Sequence, residues 1–585
     1  MWPTTTALLV FLEIVSSTTA AWPSEQLVSK GGKAYSCKCY PGDACYPTSD
    51  EWRKLNATVG GNLQVALPPG APCHNSLNGI PTFDAAKCAD VMANFMGEQW
   101  TTDQPIANLW TYWTNDTCLP TTDPGTSCTR GFYGDWVILA QTKEHIKAGI
   151  DFAREHNLRL VIRNTGHDFM GRSTAFGALV VNTHSFKTVS FTKKYTGPGR
   201  YRGGAVTIGA GIQVRELYRL ANQQSPPVVV VGGECPTVGL AGGYIQGGGH
   251  GPMASFYGMA ADNALSFNIV TATGQFATAN EAQNADLFWA LKGGGPSTFG
   301  VVVSLTVKTF PEVPSASVIL NINSTHTNDT ELFFKGVAAV HNLANHFVDN
   351  GMFVYYELMP LRFHVQPIVG PNMTAAQITK VVQPMFDALN KAGVPYSTST
   401  KAFNTFFDLY IDIFEDEAAG SDALIGGRII THEDIDKNAA GIIDAYKATL
   451  NSGTFIIGHI VGPGFGAPVV DNAINPVWRN ASSFSITTIP IAGNAPLSDK
   501  AQAQNIITNV VGKALREAAP HGGAYVNEGD LEEPNWQTEF WGSHYPRLLK
   551  LKEKWDPTGV FYARTTPGTE DWEVIDHGTR LCRKL

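Results

Sequence analysis

Two hydrophobic periods succeed one another in "DWVILAQTKEHIKAGIDFAREHN" (135–157). A short unbroken apolar run comes first. It gives way to apolar positions three and four apart, with Ile146, Ile150 and Ala153 on one face. The pattern predicts a buried strand followed by an amphipathic helix. The β-branched runs "LRLVIR" (158–163), "ALVVNT" (178–183) and "AVTIGAG" (205–211) read as further strands, as do "NALSFNIVTATG" (263–274) and "TFGVVVSLTVKTF" (298–310). Strands and helices alternate over 130–312, which predicts one α+β unit.

Beyond Pro311 the texture changes. Helical periodicity covers Thr330–Phe347, Thr374–Lys391, Asp434–Leu450 and Asp499–Ala518, with strand-like runs "MFVYYELMP" and "SSFSITTIPIAG" between them. This predicts a second domain over 313–519 in which helices pack on an antiparallel sheet. Residues 520–575 are dense in aromatics and too few to fold alone, so they must dock on earlier structure; the helical pattern there ends at Asp556-Pro557. Residues 576–585 form a tail. Residues 22–129 have few periodic runs and read as a loop-rich extension.

Composition narrows the class. The hydrophobic share is 43% and the charged share 16%, so the chain can bury large cores. A net charge of −9 argues against nucleic acid or an anionic membrane surface as partner. Residues 1–21 read as a secretory signal peptide, with a short apolar run at Ala7–Val15 and small residues around Ala20. Glu13 interrupts that run, and a frayed terminal segment is the alternative. Seven cysteines lie between Cys37 and Cys128, an eighth is Cys235 and the ninth Cys582. Without Cys235 the eight suffice for four disulfides, as suits an extracellular protein, and Cys582 is placed to tie the C-terminus to the N-terminal segment. The spacings match no common zinc pattern, so no metal site is expected. Sequons at Asn56, Asn115, Asn323, Asn328, Asn372 and Asn480 permit glycosylation.

The candidate chemistry sits in three places. "AVTIGAGIQVREL" follows a strand and opens a helix, but Val214 stands where a nicotinamide-binding fingerprint needs Gly or Ala. In "LVIRNTGHDFMGRST" a strand ends at Arg163, and the polar turn after it carries Asn164, Thr165, Gly166 and His167. Consecutive backbone N–H groups there suit a pyrophosphate, with Arg163 or Arg172 adding charge; an ordinary turn is the alternative. "GGECPTVGLAGGYIQGGGHGP" (232–252) has too many glycines for a packed helix or strand and lets backbone approach a flat ligand. Its lone Cys235 is either a small buried hydrophobe or a thiol with a task.

These segments, with "DLFWALKGGGPSTFGVVVSLTVKTFP" and the tail "YVNEGDLEEPNWQTEFWGSHYPRLLKLKEKWDPTGVFYA", occur in an order that resembles one family. It is the PCMH-type flavin-binding domain of the vanillyl-alcohol-oxidase superfamily, and within it the berberine bridge enzyme-like oxidoreductases. Secreted fungal members, some described as isoamyl alcohol oxidases, are most similar. The resemblance implies an α+β fold: a two-part FAD-binding domain (130–312 with 520–575) and an α+β substrate domain. It implies one FAD bonded covalently to His167 at the 8α position and to Cys235 at C6. It places Arg163, Asn164, Thr165, Gly166, Asp168, Gly171, Arg172 and Ser173 around the cofactor. Val238, Gly239, Gly242, Gly243, Gly247, Gly248 and His250 would join them, with Gly300, Val302 and Asn527. Val238 falls where the family controls oxygen access, and its small size favours an oxidase.

Many relatives carry a tyrosine base where this chain has Glu528. Glu528 is then either the base or a structural acceptor, with Tyr525 and Tyr244 as further catalytic candidates. Asp530 flanks it, and Tyr355, Tyr356, Glu357 and His459 are candidates for the pocket wall. The implied activity is a secreted oxidase passing hydride from an alcohol-type substrate to flavin, with dioxygen giving hydrogen peroxide. An oxidative cyclase, desaturase or dehydrogenase acting in secondary-metabolite biosynthesis is the alternative. The implied partners are a small-molecule substrate and O2, and the oligomeric state stays open.

Overall fold

The computed structural model describes residues 26–463 and 469–585; the expected signal peptide lies outside them. The strand–helix run read at 135–157 forms Trp136–Leu139 and Lys143–Glu155, the helix started by Thr142 accepting from the His145 N–H. Trp136–Leu139 and Leu160–Arg163 flank Leu179–Asn182 as parallel neighbours. A second sheet is antiparallel, with Ala205–Gly209 between Val189–Thr192 and Val301–Lys308, and with Ala264–Val270 and Phe276–Asn280 beyond. The strand before the "GAG" turn is therefore not part of a parallel dinucleotide-binding sheet.

Residues 22–129 contain more order than their periodicity suggests. Helices cover Ser49–Thr58, Ala85–Asn94 and Glu98–Asp103. Thr48 and Glu51 exchange hydrogen bonds across the first turn of Ser49–Thr58, a capping box invisible to a search for apolar stripes. Leu63–Val65 adds an antiparallel strand to the first sheet. Strands from both chain ends form a four-stranded sheet in the order Gln26–Lys30, Lys33–Cys37, Arg580–Lys584, Trp572–Ile575.

Eight cysteines pair as Cys37–Cys582, Cys39–Cys45, Cys73–Cys88 and Cys118–Cys128, and Cys235 is free. The first clamps the two termini together. No helix among the described residues is long and apolar enough to cross a membrane.

The second domain has a seven-stranded antiparallel sheet whose central strands are Arg362–Pro371, Phe353–Met359, Phe455–Ile460 and Ala481–Pro490. The four predicted helical stretches cover one face. Thr330–His341 and Ala375–Ala392 are two of them, and His432–Asn451 is a third. The fourth is continuous from Leu497 to Ala518 with a π-helical turn inside. Side-chain alternation along Phe353–Met359 sorts the faces. Val354, Tyr356 and Leu358 join Phe333, Ile378 and Ile442 beneath the helices. Phe353 and Tyr355 point the other way and pack with Phe484 and Tyr525, in the core shared with the glycine-rich segment. The sheet's uncovered face thus roofs the first domain.

Candidate active site

A cleft opens between the two sheets of the first domain, with the C-terminal segment on its wall. His167 and Cys235 both line it, although they stand 68 positions apart in sequence. With them on the wall are Asn164, Thr165, Gly166, Asp168, Arg172, Ser173, Val238, Gly239, Gly242, Gly243, Gly300 and Val302. The C-terminal segment contributes Tyr525, Asn527 and Glu528, and Tyr244 completes the set.

The glycines are there for proximity. A Cβ on Gly239 would sit 1.8 Å from Asn164 Oδ1, and one on Gly247 would meet the Asn527 amide at 2.3 Å. Gly247 and Gly248 lie behind the wall, with Gly248 at φ +127°. Gly171 also lies off the wall, at φ +64°, against the Trp113 ring.

Both arginines are held by backbone carbonyls, Arg172 on the cleft wall and Arg163 behind it. Arg163 is fully buried and donates to the carbonyls of Thr101, Thr102, Ala107, Asn164 and Thr165. It therefore faces away from the cleft and ties the N-terminal region to the polar turn. Arg172 donates to the carbonyls of Arg564 and Val526 and to Thr565 Oγ1, so it fastens the C-terminal segment to the same turn. Burial lowers Arg163 to about 9 and Arg172 to about 10. Asp168 braces the turn from inside, accepting from the Ser173 N–H and Oγ and from the Met170 N–H.

Each candidate tether has a glutamate beside it, Glu98 buried and Glu417 half-buried. His167 Nε2 lies 2.6 Å from Thr237 Oγ1 and 3.3 Å from Glu98 Oε1, and Nδ1 has no hydrogen-bond partner among the described residues. Thr237 Oγ1 in turn donates to Glu98. Burial pushes the Glu98 carboxyl up, but the contacts with His167, Thr237 and the Glu417 N–H outweigh it and leave the group below its ordinary value. Cys235 Sγ donates to Glu417 Oε1 at 2.8 Å. Burial and then the charges of Glu417 and Glu234 push that thiol well up.

Glu528 Oε2 meets His250 Nε2 at 3.0 Å. His250 is buried behind the cleft wall, among Trp478, Phe484, Tyr525 and His459. Burial lowers its pKa, but the charge and hydrogen bond of Glu528 prevail and hold it above 6.5. His459 comes from the roof, its ring 4.7 Å from that of His250, and its Nε2 meets Glu234 at 2.8 Å.

The tyrosines turn inward. Tyr244 donates to the His250 carbonyl, and Tyr525 accepts from the Gly249 N–H and the Asn527 amide. Burial raises the pKa of both phenols. Of the suggested pocket-wall residues, Tyr355 and Glu357 share the roof face and a 3.3 Å hydrogen bond. Tyr356 points the opposite way and meets Tyr446 beneath the helices. Asp530 is held by Gln504 and Thr508, away from the cleft.

Glu98, Glu417 and Glu234 carried no signal beyond their charge in the sequence. Only the fold brings an N-terminal helix and a second-domain loop to the two motifs.

The donor set fits a flavin dinucleotide. The cleft is long and walled by backbone, it presents a free imidazole nitrogen and a free thiol, and Asn164 Oδ1 and Gln246 Oε1 are buried on its wall without partners. Those orphan acceptors call for a ligand that brings donors.

The comparisons agree with that chemistry. Residues 135–280 match the model of an FAD binding domain, and residues 524–566 match the berberine and berberine-like model. An FAD-linked oxidoreductase, ZEB1 of Gibberella zeae, is 36% identical over 94% of this chain and 95% of its own. The FAD-linked oxidoreductase sor8 of Hypocrea jecorina is also 36% identical, over 95% of each chain. The crystal structure of the VAO-type flavoprotein MtVAO615 from Myceliophthora thermophila superposes with a TM-score of 0.87 at 32% identity, covering 94% of this chain and all of that one. The chain therefore belongs to the berberine bridge enzyme-like FAD-linked oxidoreductases of the vanillyl-alcohol-oxidase superfamily.

Proposed function

We propose that this chain is a secreted oxidase that holds FAD through both His167 and Cys235 and oxidises an alcohol-type substrate, with dioxygen as acceptor. The observation that supports the tethers is the pair of free heteroatoms, His167 Nδ1 and Cys235 Sγ, on the wall of one cleft. The bound cofactor supplies the hydride acceptor and passes the electrons on to dioxygen, giving hydrogen peroxide.

The residues supply the rest. Glu528 reaches the cleft wall from the C-terminal segment, with one oxygen on His250 and the other without a hydrogen-bond partner among the described residues. That second oxygen takes the substrate's hydroxyl proton as the carbon-bound hydrogen leaves. His250 fixes the carboxylate's orientation, with His459 from the roof packed against its ring. Val238 on the wall leaves room for dioxygen. The four disulfides suit an extracellular enzyme.

The test is stopped-flow bleaching of the enzyme's flavin against a panel of small alcohols, sugars and phenols, followed by peroxide detection in air. At least one alcohol should bleach the flavin and return one peroxide per turnover. A panel without any bleaching alcohol would contradict the reading.

A further inference from the structure

Cys235 is an unpromising nucleophile where it stands. Reactive thiols sit in electropositive surroundings, but this one is half-buried beside Glu417, with Glu234 and Glu98 also raising its pKa. At rest it is a thiol, and forming a sulfur bond requires a group to remove its proton. One such group touches it: Glu417 Oε1, 2.8 Å from Sγ. Glu417 is itself half-buried, and its desolvation raises its pKa, which strengthens it as a base. Its position is also fixed from the far side. The Glu417 N–H donates to Glu98 Oε2 at 3.1 Å, and the other oxygen of Glu98 lies beside His167 Nε2. Two glutamates joined by one hydrogen bond therefore stand behind the two candidate tethers.

We infer that Glu417 is the proton acceptor that lets Cys235 form its bond to the flavin, and that Glu98 holds His167 and Glu417 in register for it. The inference rests on the bicovalent reading above. In the step, Glu417 takes the proton from Sγ, and the sulfur's electron pair forms the bond to C6 of the oxidised ring. The hydrogen on that carbon departs as a proton, and its bonding pair stays in the ring as two reducing equivalents. Dioxygen accepts those two electrons with the two released protons, giving hydrogen peroxide. One S–H and one C–H bond are lost and one S–C bond is made, so the balance closes on a single O2.

The role assigned to Glu417 is separable from substrate oxidation, because it is exercised once per protein molecule. The experiment is peptide mapping by mass spectrometry of the full-length secreted chain, as wild type, Glu417→Gln and Glu417→Asp. In wild type, one flavin should bridge the His167 and Cys235 peptides. In Glu417→Gln, the flavin should stay on the His167 peptide while Cys235 is recovered as an alkylatable thiol. Loss of a general base slows a step by about a hundredfold or more, so the sulfur-linked fraction should fall at least tenfold. Glu417→Asp keeps the carboxylate on a shorter stem and should restore part of the link. Retention of the His167 bond in Glu417→Gln certifies folding and cofactor binding. A sulfur link undiminished in Glu417→Gln would overturn the inference. Should that variant not be secreted, an undiminished link in Glu417→Asp would overturn it equally, and a reduced one would support it. A wild-type chain with flavin on His167 alone would instead refute the bicovalent reading beneath it.

Discussion

Glu528→Gln slows flavin reduction by about two to four orders of magnitude, while the covalent flavin content stays that of wild type. The size follows from removing a positioned general base, and the selectivity follows from geometry. Glu528 touches His250 and the cleft wall but neither tether. Glutamine keeps the shape and offers its amide to the same partner, so the loss reports proton transfer and not packing. Rapid-mixing kinetics with a bleaching alcohol measure it, and an undiminished rate would return Glu528 to a structural role.

The same variant carries a signed pH signature. Glu528 is the main group raising His250 above 6.5. A raised histidine contributes stability that is fully present below its unfolded value near 6.5, and this is lost as pH rises through the folded value. In Glu528→Gln only burial and the more distant Glu234 remain, burial prevails, and the sign reverses: the neutral imidazole then costs stability as pH falls below 6.5. The melting temperature of the variant relative to wild type should therefore drop further at pH 5.5 than at pH 8. An equal difference at both would show that the two side chains do not communicate.

Arg163→Met destabilises the protein by about 3–5 kcal/mol, since several buried carbonyls lose their donor at about 1–3 kcal/mol each before relaxation. Arg163 donates to the carbonyls of Thr101, Thr102, Ala107, Asn164 and Thr165, and Thr101 also accepts from the Gln104 N–H. Methionine fills the volume but offers these acceptors no donor. Arg163→Lys rescues little, because a point charge with three donors cannot span five acceptors. Thermal melts of the two variants measure this directly. If Arg163 served a pyrophosphate instead, Arg163→Met would fold with wild-type stability and lose only cofactor affinity.

That contrast shows what local sequence could and could not say. The flavin cleft was legible because its signals are local: strands with β-branched runs end at polar or glycine-rich turns. His167 and Cys235 stand in those turns, and both reach the cleft wall. The four helical stretches beneath the seven-stranded sheet were legible for the same reason, each holding an apolar stripe over many turns.

Long-range pairing was not legible. "IRNTGH" offers Arg163 as a charge beside a phosphate-sized turn, and nothing in those six letters says that the strand's last side chain points back toward residues 101–107. Helix Glu98–Asp103 is six residues long with no stripe to find, yet it supplies the carboxylate behind His167. Glu417 lies in a loop with no periodicity at all. The His250–Glu528 contact joins residues 278 apart, and each looked separately like one more polar group in a motif.

The most direct test of the account is the intact mass of the denatured, deglycosylated protein expressed with ample riboflavin. The account predicts the mature polypeptide plus one FAD, an increment that His167→Ala and Cys235→Ala each keep through the remaining bond and that the double variant loses. A wild-type mass equal to the bare polypeptide, with the flavin released into the supernatant on acid precipitation, would contradict it.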